Sequence, residues 1–180
     1  PAWEYLVSPL ALDLPKSILA SVEESVRALY AVTRRESYRS RLAKIPGIDP
    51  KKNHSVLMAY DYHTNEVGEA FLVEVNTNAA GYMFTSLMEM AHGGRAPLDD
   101  LKASFENELR LSGKPANFLI LDENIPEQKM YPEFVMYRDW FRQQGWAAEI
   151  LEAAAYDSRE GFVYNRLTDF YLENYPVLRE

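Results

Sequence analysis

Hydrophobic residues recur with two different periods along this chain, which predicts a mixed fold. Between Pro15 and Arg34 the apolar residues are spaced by three and four, the period of an amphipathic helix. We expect one face of this helix to be buried. The residues of that face are Ile18, Leu19, Val22, Val26, Leu29 and Tyr30.

Two segments rich in strand-forming residues follow the first helix. Ser55–His63 and Ala70–Asn76 predict strands, and the polar stretch Thr64–Gly68 between them predicts a hairpin loop. Residues 78–94 are ambiguous: the sequence MFTSLMEMA is compatible with a short helix, which His92-Gly93-Gly94 would end. A longer helix is predicted over Leu98–Leu111, with aspartates in its first turn and a glycine after its last.

The second half of the chain changes period. Phe118–Leu121 is a continuous apolar run, typical of a strand that is covered on both faces. The other predicted elements are a helix at Met130–Gln144, strands at Trp146–Leu151 and Gly161–Tyr164, and a short helix at Thr168–Glu173. Strand, helix and strand at this spacing predict a βαβ unit with a parallel sheet.

These elements predict an α/β fold in two parts. Residues 1–114 form an α+β half with a β-hairpin, and residues 115–180 begin an open βαβ unit. We place the boundary at Gly113-Lys114-Pro115, where the chain carries residues that break regular structure.

Composition narrows the class of protein. Of the 180 residues, 47% are hydrophobic, enough for a compact core. A formal net charge of -8 argues against a nucleic-acid partner, which needs clustered cations. The absence of cysteine excludes disulfides and Cys-ligated metals and is compatible with a cytoplasmic protein. No apolar run approaches the roughly 18–20 residues that span a bilayer, so we expect no membrane partner.

Candidate metal ligands lie at the end of the second hairpin strand. Glu74 and Asn76 are two residues apart, so they share one face of the strand. Carboxylate and amide oxygens are hard ligands that suit Mg²⁺. Asp61 lies near the end of the partner strand and would approach Glu74 in one register. The alternative is that all three are polar residues at the solvated end of a strand.

A second group of candidates follows the strands of the predicted parallel sheet. Ligands of open α/β sheets gather at the carboxyl ends of strands, which here places Asp122, Glu123, Asn165 and Arg166 at one edge. A guanidinium at Arg166 could bind a carboxylate or phosphate through two parallel hydrogen bonds. The alternative is a surface salt bridge to Asp169.

Two motifs resemble a known family. VEVNTNAAG at Val73–Gly81, preceded by AYDYH at Ala59–His63, resembles the first-half signature of circularly permuted ATP-grasp ligases of the glutathione synthetase type. VYNRLTDFY at Val163–Tyr171, preceded by NFLILDENIPEQKMYPEF at Asn117–Phe134, resembles the start of the substrate domain in bacterial relatives. The resemblance extends from Ser55 to Tyr171.

The resemblance implies a partial ATP-grasp-like architecture and an ATP- and Mg²⁺-dependent carboxylate–amine ligase. ATP would phosphorylate a small carboxylate substrate, and an amine would attack the acyl phosphate, with Mg²⁺ neutralising the transferred phosphate. By position, Glu74 and Asn76 would be Mg²⁺ ligands. Arg166 would bind the substrate carboxylate.

Three further positions match the substrate side of that family. Asp61 would lie beside the substrate pocket, and the loop that begins with Thr77 and Asn78 would line it. Glutathione synthetases carry an arginine where this chain has Ala59, and serines in the loop that here contains Asn78. These departures imply a ligase branch with a different substrate.

The lysines and the glycine-rich loop that hold ATP in this family have no counterpart in the sequence. We therefore expect an N-terminal fragment that is inactive alone, partnered by a C-terminal ATP-binding half that covers exposed apolar surface. A homodimer is compatible with this arrangement. Two alternatives stay open: a non-catalytic module for small-ligand binding or protein interaction, derived from the same fold, and an unrelated α/β domain with chance motif matches.

Overall fold

The computed structural model describes residues 13–44, 54, 56–169 and 172–179. Within these residues the helices are α1 Lys16–Thr33, α2 Glu36–Leu42, α3 Tyr82–Ala91, α4 Leu98–Ser112 and α5 Tyr131–Gln143. The strands are β1 Ala59–Thr64, β2 Ala70–Asn76, β3 Asn117–Asp122, β4 Ala147–Glu152 and β5 Phe162–Asn165. The fold is mixed α/β, with one antiparallel pair, β1–β2, and a three-stranded parallel sheet.

The described residues separate into two compact units. The hairpin unit comprises residues 13–44 and 58–77, with α1, α2, β1 and β2. The sheet unit comprises residues 54, 56–57, 78–169 and 172–179, with the other helices and the parallel sheet. The boundary that we predicted at Gly113-Lys114-Pro115 falls inside the sheet unit, and the division into 1–114 and 115–180 stays a prediction.

In the hairpin unit α1 packs against β2. Ile18 is buried, and its Cδ1 would lie 3.9 Å from a Cβ added at Gly68 in the hairpin loop. The prediction that Leu19 and Tyr30 lie on the buried face is wrong, because their exposed fractions are 51% and 53%. A sheet of two strands, which are about 4.8 Å apart, is too narrow to cover a broad helix face.

The hairpin also exposes apolar residues of its own. Phe71 and Val73 on β2 are more than half exposed, and Val67 in the loop is 80% exposed. Exposed apolar residues are therefore present on this unit, and their role as the docking surface of a further half stays a prediction.

The parallel sheet has the order β4-β3-β5. The central strand is completely buried from Phe118 to Leu121, as its continuous apolar run predicts. Helix α5 connects β3 to the parallel strand β4, so the predicted βαβ unit is confirmed.

Aromatic rings fill the core of the sheet unit. Phe118 on β3 stacks on Phe141 of α5, with ring centroids 4.0 Å apart. The ring of Phe105 on α4 is nearly perpendicular to both rings, with interplanar angles of 87°. Leu101 and Phe105 of α4 are buried, and the helix ends at Gly113, whose φ of 66° suits a residue without Cβ.

Strand β1 begins at Ala59, so the predicted start at Ser55 is wrong for residues 56–58, and Ser55 itself lies outside the described residues. Leu57 is buried in the core of the sheet unit, and its carbonyl accepts the N–H of Ala79 at 2.9 Å. Backbone that serves this packing cannot also continue the hairpin ladder.

The short helix predicted at Thr168–Glu173 is wrong for the described residues of that segment. Leu172 has φ of 52°, which is incompatible with a right-handed helix. The carboxylate of Asp169 accepts the N–H groups of Glu173 and Asn174 and so forms a local turn. No helix among the described residues is long and apolar enough to cross a membrane.

Candidate functional site

The end of the hairpin brings together the three side chains that the sequence singles out there. Asp61 pairs with Glu74 across the strands, and Ala59 pairs with Asn76. The Nδ2 of Asn76 donates to Glu74 Oε1 at 3.1 Å and to Asp61 Oδ2 at 3.3 Å. All three side chains are exposed, as is Thr77 next to them. The expected proximity of Asp61 and Glu74 is confirmed.

A local irregularity places the two carboxylates opposite each other. The register shifts between Asp61 and Tyr62, which pairs with Leu72 and leaves Val73 without a direct partner. Two like charges directly opposite on a sheet repel each other, so this end of the hairpin favours a cation or a donor between them. In the structure that donor is the amide of Asn76.

The donor set at the hairpin end fits Mg²⁺ by chemistry. Among the described residues no three His, Cys, Asp or Glu side chains form a metal-binding group. The oxygens available to a cation at the hairpin end are those of the Asp61 and Glu74 carboxylates and of the Asn76 amide. This small number of protein ligands leaves room for the water or phosphate ligands that Mg²⁺ usually keeps. A cation in place of Nδ2 requires the Asn76 amide to turn its oxygen toward the carboxylates.

The second candidate site lies at the carboxyl edge of the parallel sheet. Asp122 ends β3, and Arg166 follows β5 with its N–H bonded to the carbonyl of Leu121 at 2.8 Å. Asp122 is buried, and burial raises the pKa of its carboxyl above the ordinary value. The N–H of Glu123 and the charge of Arg166 offset that rise only in part.

The neighbouring polar groups of this edge are held by local hydrogen bonds. Glu123 accepts the hydroxyl of Tyr175 at 2.7 Å, and Asn165 accepts the N–H of Leu167 at 2.9 Å. Glu152 at the end of β4 accepts two backbone N–H groups of the loop after β3, each at 2.9 Å. These contacts fix the loops around Asp122 and Arg166.

Arg166 is half-buried and holds a distant loop. Its Nη1 donates to the carbonyl of Asn78, and the Asn78 side chain donates in turn to the carbonyl of Asn165. The guanidinium carbon lies 5.4 Å from the ring centroid of Tyr164. The predicted substrate residues Asn78 and Arg166 are therefore in direct contact.

A buried acid that the sequence pattern does not reveal completes this site. Glu133 on α5 is 1% exposed, and its carboxylate accepts the N–H groups of Gly81 and Met83 at the start of α3. Burial raises its pKa, and these hydrogen bonds and the charge of Arg166 lower it by less. The signal available in the sequence is weak: Gly81 starts a helix without a side chain that could cap it.

Two tyrosines lie beside Glu133 and Arg166. The rings of Tyr137 and Tyr164 meet edge to face with centroids 5.3 Å apart, and burial raises the pKa of both hydroxyls. The hydroxyls of Tyr137 and Tyr164 and Nε of Arg166 are buried together, and the hydroxyl of Tyr164 interacts with both Tyr137 and Arg166.

The structure thus assembles two local sites, one in each unit. Asp61, Glu74, Asn76 and Thr77 belong to the hairpin unit, and Asn78 and Arg166 to the sheet unit. The roles that the resemblance implies for Glu74 as a Mg²⁺ ligand and for Arg166 as a substrate-binding residue stay predictions. No protein-family model, no curated protein and no solved structure matches this chain.

Proposed function

We propose that this chain is the N-terminal part of an ATP- and Mg²⁺-dependent carboxylate–amine ligase with a partial ATP-grasp-like architecture. The observation that carries the proposal is the end of the hairpin, where Asp61, Glu74 and Asn76 share one exposed face. Hard oxygen atoms on a strand end, open to solvent, are what a Mg²⁺–phosphate complex needs from a protein.

Each residue has a separate task in this proposal. Glu74 and Asn76 hold Mg²⁺, and Asp61 adds negative charge beside them. When bound, Mg²⁺ neutralises the phosphate that ATP transfers to the substrate carboxylate. Most of the nucleotide site belongs to a further ATP-binding half, since the chain has no glycine-rich phosphate loop. We propose a cytoplasmic location for the enzyme.

Arg166 binds the carboxylate substrate. Its Nη1 is occupied by Asn78, whereas the remaining donors of the guanidinium suit a planar carboxylate. The contact with Asn78 fixes the side chain in one direction, which lowers the entropy lost on binding. In this proposal Asn78 lines the substrate site beside Arg166, and Thr77 is the residue that precedes it in the sequence.

Calorimetry with Mg²⁺ and ATP tests this proposal. We expect the 180-residue chain to bind the nucleotide weakly, and a longer polypeptide that includes the ATP-binding half to bind it with a measurable heat. In the longer polypeptide Glu74→Gln should weaken binding of Mg²⁺–ATP, and Glu69→Gln, at the opposite end of the same hairpin, should not. A longer polypeptide that does not bind nucleotide contradicts the proposal.

A second function is favoured by a different observation. The polar edge of the parallel sheet, with Arg166, Asp122 and Glu133, is complete within the sheet unit, and such edges commonly bind small ligands. The alternative is therefore a non-catalytic module that binds a small carboxylate. Tight binding of a carboxylate to the 180-residue chain, together with an absence of nucleotide binding by every longer form, would favour the module over the ligase.

A further inference from the structure

We infer that Glu133 is a positioning residue, whose carboxylate fixes the loop 78–81 against Arg166 and thereby sets the direction of the guanidinium. The inference deepens the proposed function and rests on it, since Arg166 is there the residue that binds the substrate carboxylate. Glu133 itself touches no substrate in this scheme.

The first step is the start of α3. Gly81 is the residue before the helix and has φ of 96°. Because glycine has no side chain, Gly81 cannot offer an oxygen to the N–H groups of the first turn that lack a partner within the helix. Glu133 supplies that oxygen from α5. The N–H of Gly81 donates to both of its carboxylate oxygens, at 2.9 and 2.8 Å, and the N–H of Met83 donates to Oε1 at 3.0 Å.

The second step is the loop that precedes this helix. Asn78 is fixed at the carboxyl end of β5 through Arg166 and Asn165, and the N–H of Ala79 donates to Leu57. Three residues later Glu133 fixes Gly81. Because only two residues separate Asn78 from Gly81, a displacement of Gly81 also displaces Asn78. We call the hydrogen bonds of Glu133 to Gly81 the anchor of this loop.

The third step is the chemistry of the anchor. Both oxygens of Glu133 accept a hydrogen bond from one N–H group, so a glutamine would place an amide N–H against the N–H of Gly81. Removing one charge therefore breaks the anchor without changing the size of the side chain. The loop would loosen, and with it the contact between Asn78 and Arg166.

Chemical labelling of arginine measures this coupling. Phenylglyoxal modifies exposed, mobile guanidinium groups, and peptide mass spectrometry gives the rate for Arg166 alone. We expect Glu133→Gln to increase that rate about tenfold, the effect of losing roughly one charge-assisted hydrogen bond. A rate within twofold of wild type would overturn the inference.

The matched control is Glu108→Gln. Glu108 is also 1% exposed in the sheet unit and accepts a backbone N–H, that of His54, at 2.8 Å. We expect this variant to lose stability but to leave the labelling rate of Arg166 unchanged. An equal increase in both variants would show a general loosening and would overturn the inference.

A titration of the wild-type chain tests the same coupling if Glu133→Gln does not fold. The ¹³C signal of the Glu133 carboxyl and the ¹H–¹⁵N signals of Gly81, Met83 and Arg166 Nε should shift with one common midpoint. The tyrosines that interact with Glu133, Tyr137 and Tyr164, have raised pKa values and ionise far above this range.

Asp122 is a second acid close to Arg166, so the titration is repeated with Asp122→Asn. The Arg166 signal should keep the midpoint of Glu133 in that variant. An Arg166 signal that follows Asp122 instead would contradict the inference.

Acetate, added as a simple carboxylate, separates this inference from the proposed function. Protection of wild-type Arg166 by acetate reports on substrate binding, and the dependence of labelling on Glu133 reports on positioning. If acetate does not protect Arg166 but the labelling rate still depends on Glu133, the result counts against the ligase proposal alone. If acetate protects Arg166 but the labelling rate does not depend on Glu133, the result counts against the role of Glu133 alone.

Discussion

Both carboxylate oxygens of Glu133 accept the backbone N–H of Gly81, at 2.9 and 2.8 Å, although the two residues are 52 positions apart in the chain. The contact joins the start of α3 to the start of α5. It also places a buried acid within the electrostatic reach of Arg166. Several measurable properties therefore depend on this one side chain.

The first prediction concerns pH. Burial raises the pKa of folded Glu133 above its ordinary value of 4.5, so the folded state holds the proton more tightly than the unfolded state. This contribution to stability is complete below about pH 4.5 and is lost as the pH rises through the folded pKa. We expect the free energy of unfolding of wild type, relative to Glu133→Gln, to fall over that range in urea titrations. A difference that stays constant or grows with pH would contradict the assignment.

The second prediction concerns Arg166→Gln. The charge of Arg166 lowers the pKa of both Asp122 and Glu133. Its removal should raise both values, because each ionised carboxylate then loses its favourable interaction with the guanidinium. Carboxyl ¹³C NMR measures each value separately. Arg159→Gln is the control, since Arg159 pairs with Asp157 and Glu149 instead. Unchanged values in Arg166→Gln would exclude the interaction.

The third prediction concerns the core. Phe118 is fully buried and stacks on Phe141, so Phe118→Ala should lower the free energy of unfolding by about 3–5 kcal/mol. Leu87→Ala is the control, because Leu87 on α3 is half exposed, and its effect should stay within about 0.5 kcal/mol. Chemical denaturation measures both. A loss below about 1 kcal/mol for Phe118→Ala would mean that this ring is not packed as described.

Much of the fold could be predicted because its signals are local. The run at Phe118–Leu121 has the continuous apolar character that only a strand covered on both faces needs, and the structure buries it completely. The hairpin strand Ala70–Asn76 has the predicted bounds, since polar residues and a glycine mark the loop before it. Helix α2 was not predicted, because ESYRSRL has no apolar stripe.

The sites needed information that a single segment does not carry. Asp61 and Glu74 are opposite each other only because the register shifts beside them, and no residue pattern fixes that shift. Glu133 has its partner 52 residues away, so it looks in sequence like an ordinary acid in the first turn of a helix. The helix predicted at Thr168–Glu173 failed because the Asp169 carboxylate competes for the backbone N–H groups that a helix would use.

The central claim is that the end of the hairpin binds a hard divalent cation, and Mn²⁺, a paramagnetic substitute for Mg²⁺, tests it most directly. In ¹H–¹⁵N spectra of the chain, Mn²⁺ should broaden the signals of Asp61, Glu74 and Asn76 before all others, and excess Mg²⁺ should restore them. Glu74→Gln should remove this selective broadening, whereas Glu69→Gln, which alters the exposed partner of Asn65 at the opposite end of the hairpin, should keep it. Broadening that spreads evenly over exposed carboxylates, or that persists in Glu74→Gln, would contradict the claim.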